Sequence, residues 1–180
     1  HPDVRRMLLT SKAFNEGARA LALWTGVQID LYGKHEDDAV REKAEDLVAL
    51  LTPVIKSYMT DKGFEASNLA LQCFGGHGYI QEYGMEQFVR DARIAPIYEG
   101  TNGVQAMDLV GRKLAMNGGR AVRTFFEEVQ DFIDANKDDE EMDAFTKPLG
   151  KGLGQLQQAT MWLMNNAMTA PDNAGSAAHN

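Results

Sequence analysis

Between Asp3 and Tyr32 the apolar residues Val4, Met7, Leu8, Phe14, Ala18, Leu21, Ala22, Ile29 and Tyr32 recur mostly at intervals of three and four. That period places them along one side of a long amphipathic helix, opened by Pro2 and Asp3 and closed by Gly33. After a turn at Lys34 to Asp38 the period resumes through Val40, Ala44, Leu47, Val48, Leu51, Val54, Ile55, Tyr58 and Met59. Pro53 interrupts this second helix. Either the helix kinks there, or Thr52 caps a new segment with Pro53 in its first turn; the unbroken phase of the stripe favours the kink. Asp61, Lys62 and Gly63 read as the next break, and a shorter helix follows from Phe64 to Phe74, carrying Leu69, Leu71 and Cys73.

Gly75 suits the left-handed residue that closes this helix. Tyr79 to Met85 reads as a loop broken by Gly84, and Glu86 to Arg90 as a short helical turn. A helix from Asn102 to Leu114 is expected to bury Val104, Met107, Val110 and Leu114 as one stripe. Asn117, Gly118 and Gly119 form a breaking turn before Ala121 to Ala135, where Val122, Phe125, Phe126, Val129, Phe132 and Ile133 share a side. An acidic run from Asp138 to Glu141 favours the start of a last helical pattern from Met142 to Thr169. Gly150, Gly152 and Gly154 weaken its middle, and Met161, Trp162, Leu163, Met164 and Met168 read as core packing. With no internal repeat and no sustained alternation, the fold class is all-α, an antiparallel helical bundle with extra C-terminal helices.

Composition narrows the chemistry. A formal net charge of -8 argues against a nucleic acid as the main partner, because a polyanion calls for a dense basic surface. The one cysteine, Cys73, leaves no internal disulfide framework, fits a reducing, cytoplasmic setting, and reads as a small buried hydrophobe. No stretch approaches the roughly 20 apolar residues of a bilayer span. His1, His35, His77 and His179 show no metal-ligand spacing, so no metal site is expected. The first residue is not methionine and the end is small and polar, which suggests an excised piece of a longer protein.

One carboxylate stands out. Glu99 follows the apolar run Ile94 to Tyr98 at the expected junction of loop and helix. Burial there raises a carboxyl pKa and a helix N-terminus lowers it, and sequence leaves the balance open. The plain alternative is that Glu99 merely occupies a first helical turn, where acidic residues are favoured. Arg90, Asp91 and Arg93 read chiefly as a local ion-pair brace. The glycine cluster at Gly75 and Gly76 follows a helix and not a strand, which excludes a dinucleotide-binding strand-turn-helix fingerprint.

From Gln72 the chain reads Gln-Cys-Phe-Gly-Gly-His-Gly-Tyr-Ile, and from Val89 it reads Val-Arg-Asp-Ala-Arg-Ile-Ala-Pro-Ile-Tyr-Glu-Gly-Thr-Asn-Gly-Val-Gln. In this order and spacing the two runs resemble the signature of the acyl-CoA dehydrogenases. The resemblance implies a C-terminal helical-bundle domain at 1-115, lacking its first helix, and an added helical extension at 116-180 like that of the larger bacterial branch acting on long acyl chains or 3-methylthiopropanoyl-CoA. An incomplete bundle would expose an apolar seam and favour self-association.

The same resemblance implies α,β-dehydrogenation of an acyl-CoA thioester with FAD as cofactor. Glu99 is then the catalytic base; Gln72, Gly75, Gly76 and Thr101 bind the flavin cofactor; Tyr98, Gly100 and Arg112 contact substrate. Gly103 stands where relatives often carry a polar flavin contact, and Arg112 lies one residue late against the shorter enzymes. The implied partners are an electron-transfer flavoprotein and further copies of the chain, in a homodimer or homotetramer. The chain alone is expected to be inactive and colourless. Alternatives are an acyl-CoA oxidase-like relative and a non-catalytic helical assembly module; the intact Tyr-Glu-Gly-Thr run argues against the module.

Overall fold

The computed structural model describes residues 1-167 and 169-179, with backbone alone at 171 and 177-179, so Met168 of the expected core cluster lies outside the described residues. All elements among the described residues are helical, and none is a strand. The first, α1, runs Pro2–Lys34 and the second, α2, runs Asp38–Cys73. Asp37 caps the second helix, its carboxylate accepting from the backbone N–H of Ala39 at 2.8 Å. Phe14 and Tyr58 stand equally far along the chain from Glu36, and their rings meet edge to face at 6.0 Å, so the helices form an antiparallel hairpin. Within α1, Val4, Met7, Phe14, Ala18, Leu21 and Thr25 are buried or half-buried, a stripe at helical spacing, while Leu8, Leu9 and Leu23 are more than half exposed.

The expected break at Asp61 to Gly63 does not occur, and α2 continues through it to Cys73. Glycine within a helix costs only about 1 kcal/mol against alanine, and local contacts support this turn. Lys62 pairs with Glu65 at 2.6 Å, and the Ser67 hydroxyl donates to the Gly63 carbonyl at 2.9 Å. Pro53 also lies inside this helix, with its ring fully buried, and starts no separate segment.

By contacts the chain divides into two units, His1–Val27 with Thr52–Gln105, and Gln28–Leu51 with Ala106–Asn180. In the first unit, α2 leads through a 3-10 turn at Gly75–Tyr79 and another at Gln81–Tyr83 to α3, Met85–Ile94, longer than the short turn expected there. Both turns pack against α3, and His77 meets Tyr83 edge to face at 5.1 Å. After a loop comes α4, Asn102–Asp108, followed directly by a π turn at Leu109–Lys113.

The second unit holds the best-defined core. Leu50, Leu114, Ala121 and Val122 are buried together, with Leu109, Val110, Met116, Phe125, Phe126 and Leu163 packed on them. The single stripe expected from Val104 to Leu114 is not found: Val104 is 54% exposed and Met107 44%. The wider π turn shifts the helical phase, so Leu109, Val110 and Leu114 point to the core and the residues before them do not. Asn117, Gly118 and Gly119 all adopt left-handed backbone, with φ of 52, 66 and 79°, and turn the chain into α5, Arg120–Ala135. There α5 packs on α6, Asp143–Asn166, which is followed by α7, Pro171–His179.

Two expectations on α6 resolve differently. Its three glycines do not break it. Met161 and Trp162 are at least half exposed, Met164 is also exposed, and only Leu163 of that cluster packs on the core. Four consecutive residues point to every side of a helix, so they cannot all face one core.

The same unit contains a buried carboxylate, Asp46, at 1% exposure. Arg120 grips it with Nε on one oxygen at 2.5 Å and Nη2 on the other at 3.1 Å, and Asn117 Nδ2 donates to it at 3.1 Å. Arg120 also reaches Glu42 at 2.5 Å. The hydrogen bonds to Asp46, reinforced by both carboxylate charges, hold the guanidinium pKa above its ordinary value.

Candidate active site

The segment bearing Glu99 is built from the end of α3. The amides of Ile97 and Tyr98 both donate to the Ile94 carbonyl, at 2.9 and 3.2 Å, which tightens the chain around buried Pro96. Glu99 and Gly100 then take left-handed backbone, with φ of 55 and 79°. The Asn102 amide donates to the Pro96 carbonyl at 3.0 Å and closes the loop. Thr101 immediately precedes the next helix, its carbonyl accepting from Val104 at 2.8 Å and Gln105 at 3.1 Å.

A first-turn position for Glu99 is therefore incorrect: α4 begins three residues later, at Asn102. A left-handed residue other than glycine costs roughly 1–2 kcal/mol, so Glu99 is held in a conformation it does not prefer. Its side chain is exposed in this chain, against the burial expected from its apolar neighbours. Tyr98 and Thr101 on either side are exposed as well. Gly100 is favoured by its φ; a Cβ there would stand 2.8 Å from Gln105 Nε2, the flexible tip of a side chain that can move aside.

The loop is fastened to α2 by side chains that sequence reasoning missed. Lys56 Nζ donates to the Gly100 carbonyl at 2.9 Å and to Asn102 Oδ1 at 2.8 Å. Asn102 Nδ2 faces Ser57 O at 3.2 Å, Thr60 Oγ1 at 3.0 Å and Asp61 Oδ1 at 2.8 Å. Gln105 Nε2 reaches the Glu99 and Gly100 carbonyls at 3.4 and 3.2 Å. The available signal was Lys56 and Thr60 four residues apart, polar on an otherwise apolar stretch of α2. Asp61, Phe64, Arg93, Pro96, Ile97, Thr101 and Asn102 line a recess of about 360 Å³ beside the loop.

Gln72, Gly75 and Gly76 lie together at the C-terminal end of α2, all exposed. Gly75 has a φ of 60° and closes the helix as expected; neither glycine would bring a Cβ within 4 Å of another group, so this backbone is open to approach. Gly78 differs. A Cβ there would fall 2.5 Å from the Leu71 carbonyl oxygen, which makes it a packing glycine. Cys73, beside this turn, is only partly buried. The Glu99 loop and the glycine turn share the first unit, connected by α3; Arg112 lies in the second unit, exposed and paired with Asp108 at 2.6 Å.

The expected Arg90, Asp91 and Arg93 brace is absent. Arg90 lies 4.0 Å from Glu86, Asp91 accepts from Gln87 at 2.6 Å, and the Arg93 guanidinium sits 5.6 Å from the Phe64 ring centroid. Neighbours on a helix at i, i+1 and i+3 point to different sides, and these three found separate partners. Among the described residues no cluster of His, Cys, Asp and Glu fit to hold a metal occurs, and no helix is long and apolar enough to cross a membrane.

Residues 1-115 match the family model described as acyl-CoA dehydrogenase, C-terminal domain. The chain belongs to the acyl-CoA dehydrogenase family. Residues 125-180 match a second model, acetyl-CoA dehydrogenase C-terminal like. The chain is 49% identical over 127 residues to a 3-methylmercaptopropionyl-CoA dehydrogenase of Ruegeria pomeroyi, covering 71% of this chain and 21% of that protein. It is 33% identical to the broad-specificity linear acyl-CoA dehydrogenase FadE5 of Mycobacterium tuberculosis, covering 98% of this chain and 29% of that protein. A butyryl-CoA dehydrogenase of Syntrophomonas wolfei is 37% identical over 81% of this chain and 24% of its own length. The chain thus spans less than a third of these acyl-CoA dehydrogenases. The solved structure titled Bd2924 apo-form shares the fold, with a TM-score of 0.67 at 22% identity over 99% of this chain and 33% of that one.

Proposed function

We propose that the protein containing this chain is an FAD-dependent acyl-CoA dehydrogenase, and that Glu99 is the base that removes the proton next to the thioester. The observation that carries this reading is the Glu99 loop: a carboxylate presented outward from backbone fixed in a costly left-handed conformation. The α hydrogen of a thioester is weakly acidic, so its removal needs a carboxylate held at a defined place. The relatives named for acyl-CoA dehydrogenation support the same reaction class.

Flavin, when bound, supplies the acceptor for the hydride that leaves the β carbon. Gln72 would meet it with an amide able to donate and accept, and Gly75 and Gly76 with backbone open to close approach. Thr101, exposed beside Glu99, would add a hydroxyl contact. Tyr98 and Gly100 flank the base and would border the acyl thioester; Arg112 would meet the coenzyme A end by exchanging its Asp108 partner for a phosphate.

Residues 1-115 then form the family's helical domain and residues 116-180 a helical extension, in line with the two matched models. Exposed Leu8, Leu9 and Leu23 on α1 are consistent with assembly into a homodimer or homotetramer. An electron-transfer flavoprotein would take the electrons in a cytoplasmic setting.

Anaerobic mixing of the intact protein with butyryl-CoA, palmitoyl-CoA and 3-methylmercaptopropionyl-CoA tests the reaction class. Bleaching of bound flavin by at least one of them, with the corresponding enoyl-CoA as product, is the expected result. No bleaching with any, in a preparation that holds flavin and binds the thioesters, would refute it. Rapid reoxidation by oxygen with peroxide release would reassign the acceptor and make the protein oxidase-like.

A further inference from the structure

The geometry points to Lys56 as the positioning residue of the Glu99 base: its ammonium holds the Glu99–Gly100 backbone in the left-handed conformation that presents the carboxylate. The inference rests on the proposal that Glu99 is the base.

The Glu99–Gly100 pair carries two successive positive φ angles, 55 and 79°, and only the second residue is a glycine. Strained backbone of this kind persists when its surroundings over-determine it. The carbonyl of Gly100, directly after the strained residue, points at Lys56 Nζ at 2.9 Å. The same ammonium reaches Asn102 Oδ1 at 2.8 Å, so a single cation ties both the end of the left-handed pair and the start of α4.

Lys56 is itself well placed for this. It rises from the middle of α2, more than 40 residues from the loop in sequence, so it supplies a reference point outside the loop. It is half-buried, which strengthens a charge-assisted hydrogen bond relative to one in open water. One helical turn on, Thr60 Oγ1 donates to the Lys56 carbonyl at 2.7 Å and accepts from Asn102 Nδ2 at 3.0 Å. Asp61 Oδ1 and the Ser57 carbonyl, which only accept, take the Asn102 Nδ2 hydrogens at 2.8 and 3.2 Å, so the amide oxygen faces the cation. Gln105 Nε2 also reaches the Gly100 carbonyl at 3.2 Å, and the Glu99 carbonyl at 3.4 Å, but with a neutral amide. Lys56 is thus the shorter and the charged tether.

This arrangement acts on the base through the backbone. Lys56 bonds no Glu99 side-chain atom, so it aims the carboxylate without neutralising it. Removing the ammonium lets Glu99 relax toward right-handed backbone and swings its carboxylate off target; misplacement by about 1 Å costs about a hundredfold in rate.

The test uses the intact, flavin-loaded protein and its best acyl-CoA from the panel above, comparing wild type, Lys56→Met, Lys56→Arg and Glu99→Gln. Methionine keeps much of the lysine stem and removes the donors. Lys56→Met is expected to lower the rate constant for flavin bleaching about ten- to a hundredfold, with flavin content and thioester affinity held within about twofold. Hydrogen exchange at the amides of residues 100-102 should quicken in the same variant. Lys56→Arg, a cation able to reach one carbonyl, should recover much of the rate.

If Lys56→Met bleaches at the wild-type rate while Glu99→Gln does not bleach, the positioning role is wrong and Glu99 remains the base. Should Glu99→Gln bleach normally, the base lies elsewhere, and a slow Lys56→Met would then have another cause, which also defeats the inference. Loss of flavin or of folding in Lys56→Met, with no recovery in Lys56→Arg, would make Lys56 structural only.

Discussion

Two stretches of left-handed backbone are fastened to α2, and the fastening runs in opposite directions. At Asn117 to Gly119 the helix supplies the carboxylate: Asp46 is buried and takes hydrogen bonds from Arg120 and Asn117, which follow and open the turn. At Glu99 and Gly100 the helix supplies the cation: Lys56 takes the loop's backbone carbonyl, and the loop's own carboxylate stays exposed. Both devices pin a turn of left-handed backbone. Only the second leaves an acidic side chain available for chemistry, whereas in the first the carboxylate is consumed by the joint. A buried charge must be paired to be tolerated, and a base must be positioned through something other than its own oxygens.

This contrast can be broken by substitution. The largest expected loss of stability is for Arg120→Met, which keeps the aliphatic bulk but leaves Asp46 buried with only the Asn117 amide. Its denaturant midpoint should fall further than that of any other variant named here, and a midpoint unchanged from wild type would show that Asp46 is not locked as described. Next come two glycines with the same φ of 79° and opposite expected effects on catalysis. Gly119→Ala places a Cβ 3.4 Å from Arg123 Nη1 and 3.5 Å from Met164 Cε, and should cost about 1–2 kcal/mol of stability with flavin reduction unaffected.

Gly100→Ala meets only the flexible tip of Gln105 and carries a similar backbone penalty, about 1–2 kcal/mol, yet should slow flavin reduction because it disturbs the presentation of Glu99. Equal kinetic effects from the two would erase the distinction between the turns. The smallest effect is expected for Arg112→Ala. If this exposed guanidinium meets the coenzyme A end, KM rises while kcat holds. An unchanged KM would remove Arg112 from the site.

Much of the fold was legible because its signals are periodic. The stripe from Val4 through Leu21 and the aromatic side of Ala121 to Ala135 each specified a helix, and Gly33 and Gly75 stand at the ends of α1 and α2. The misreadings have physical causes. Gly63 reads as a stop in the sequence, although one glycine costs a helix little when Lys62, Glu65 and Ser67 brace the turn. The π turn at Leu109–Lys113 has no periodic signature, and it moved Val104 and Met107 off the core. At the site, the Tyr98 to Thr101 run was visible in the sequence. Its supports, Lys56, Thr60 and Asn102, were not, because their roles depend on contacts more than 40 residues apart. The positive φ of Glu99 was equally hidden, since nothing in the residue type asks for it.

In the proposed reaction the exposed carboxylate of the Glu99 loop takes the α proton. The most direct measurement is stopped-flow, anaerobic flavin reduction in the intact protein, wild type against Glu99→Gln, with thioester affinity measured in parallel. The variant is expected to bind the acyl-CoA as tightly as wild type, with a bleaching rate lower by about two to four orders of magnitude, the worth of a positioned general base. Bleaching by Glu99→Gln at the wild-type rate would contradict this role and place the base on another residue.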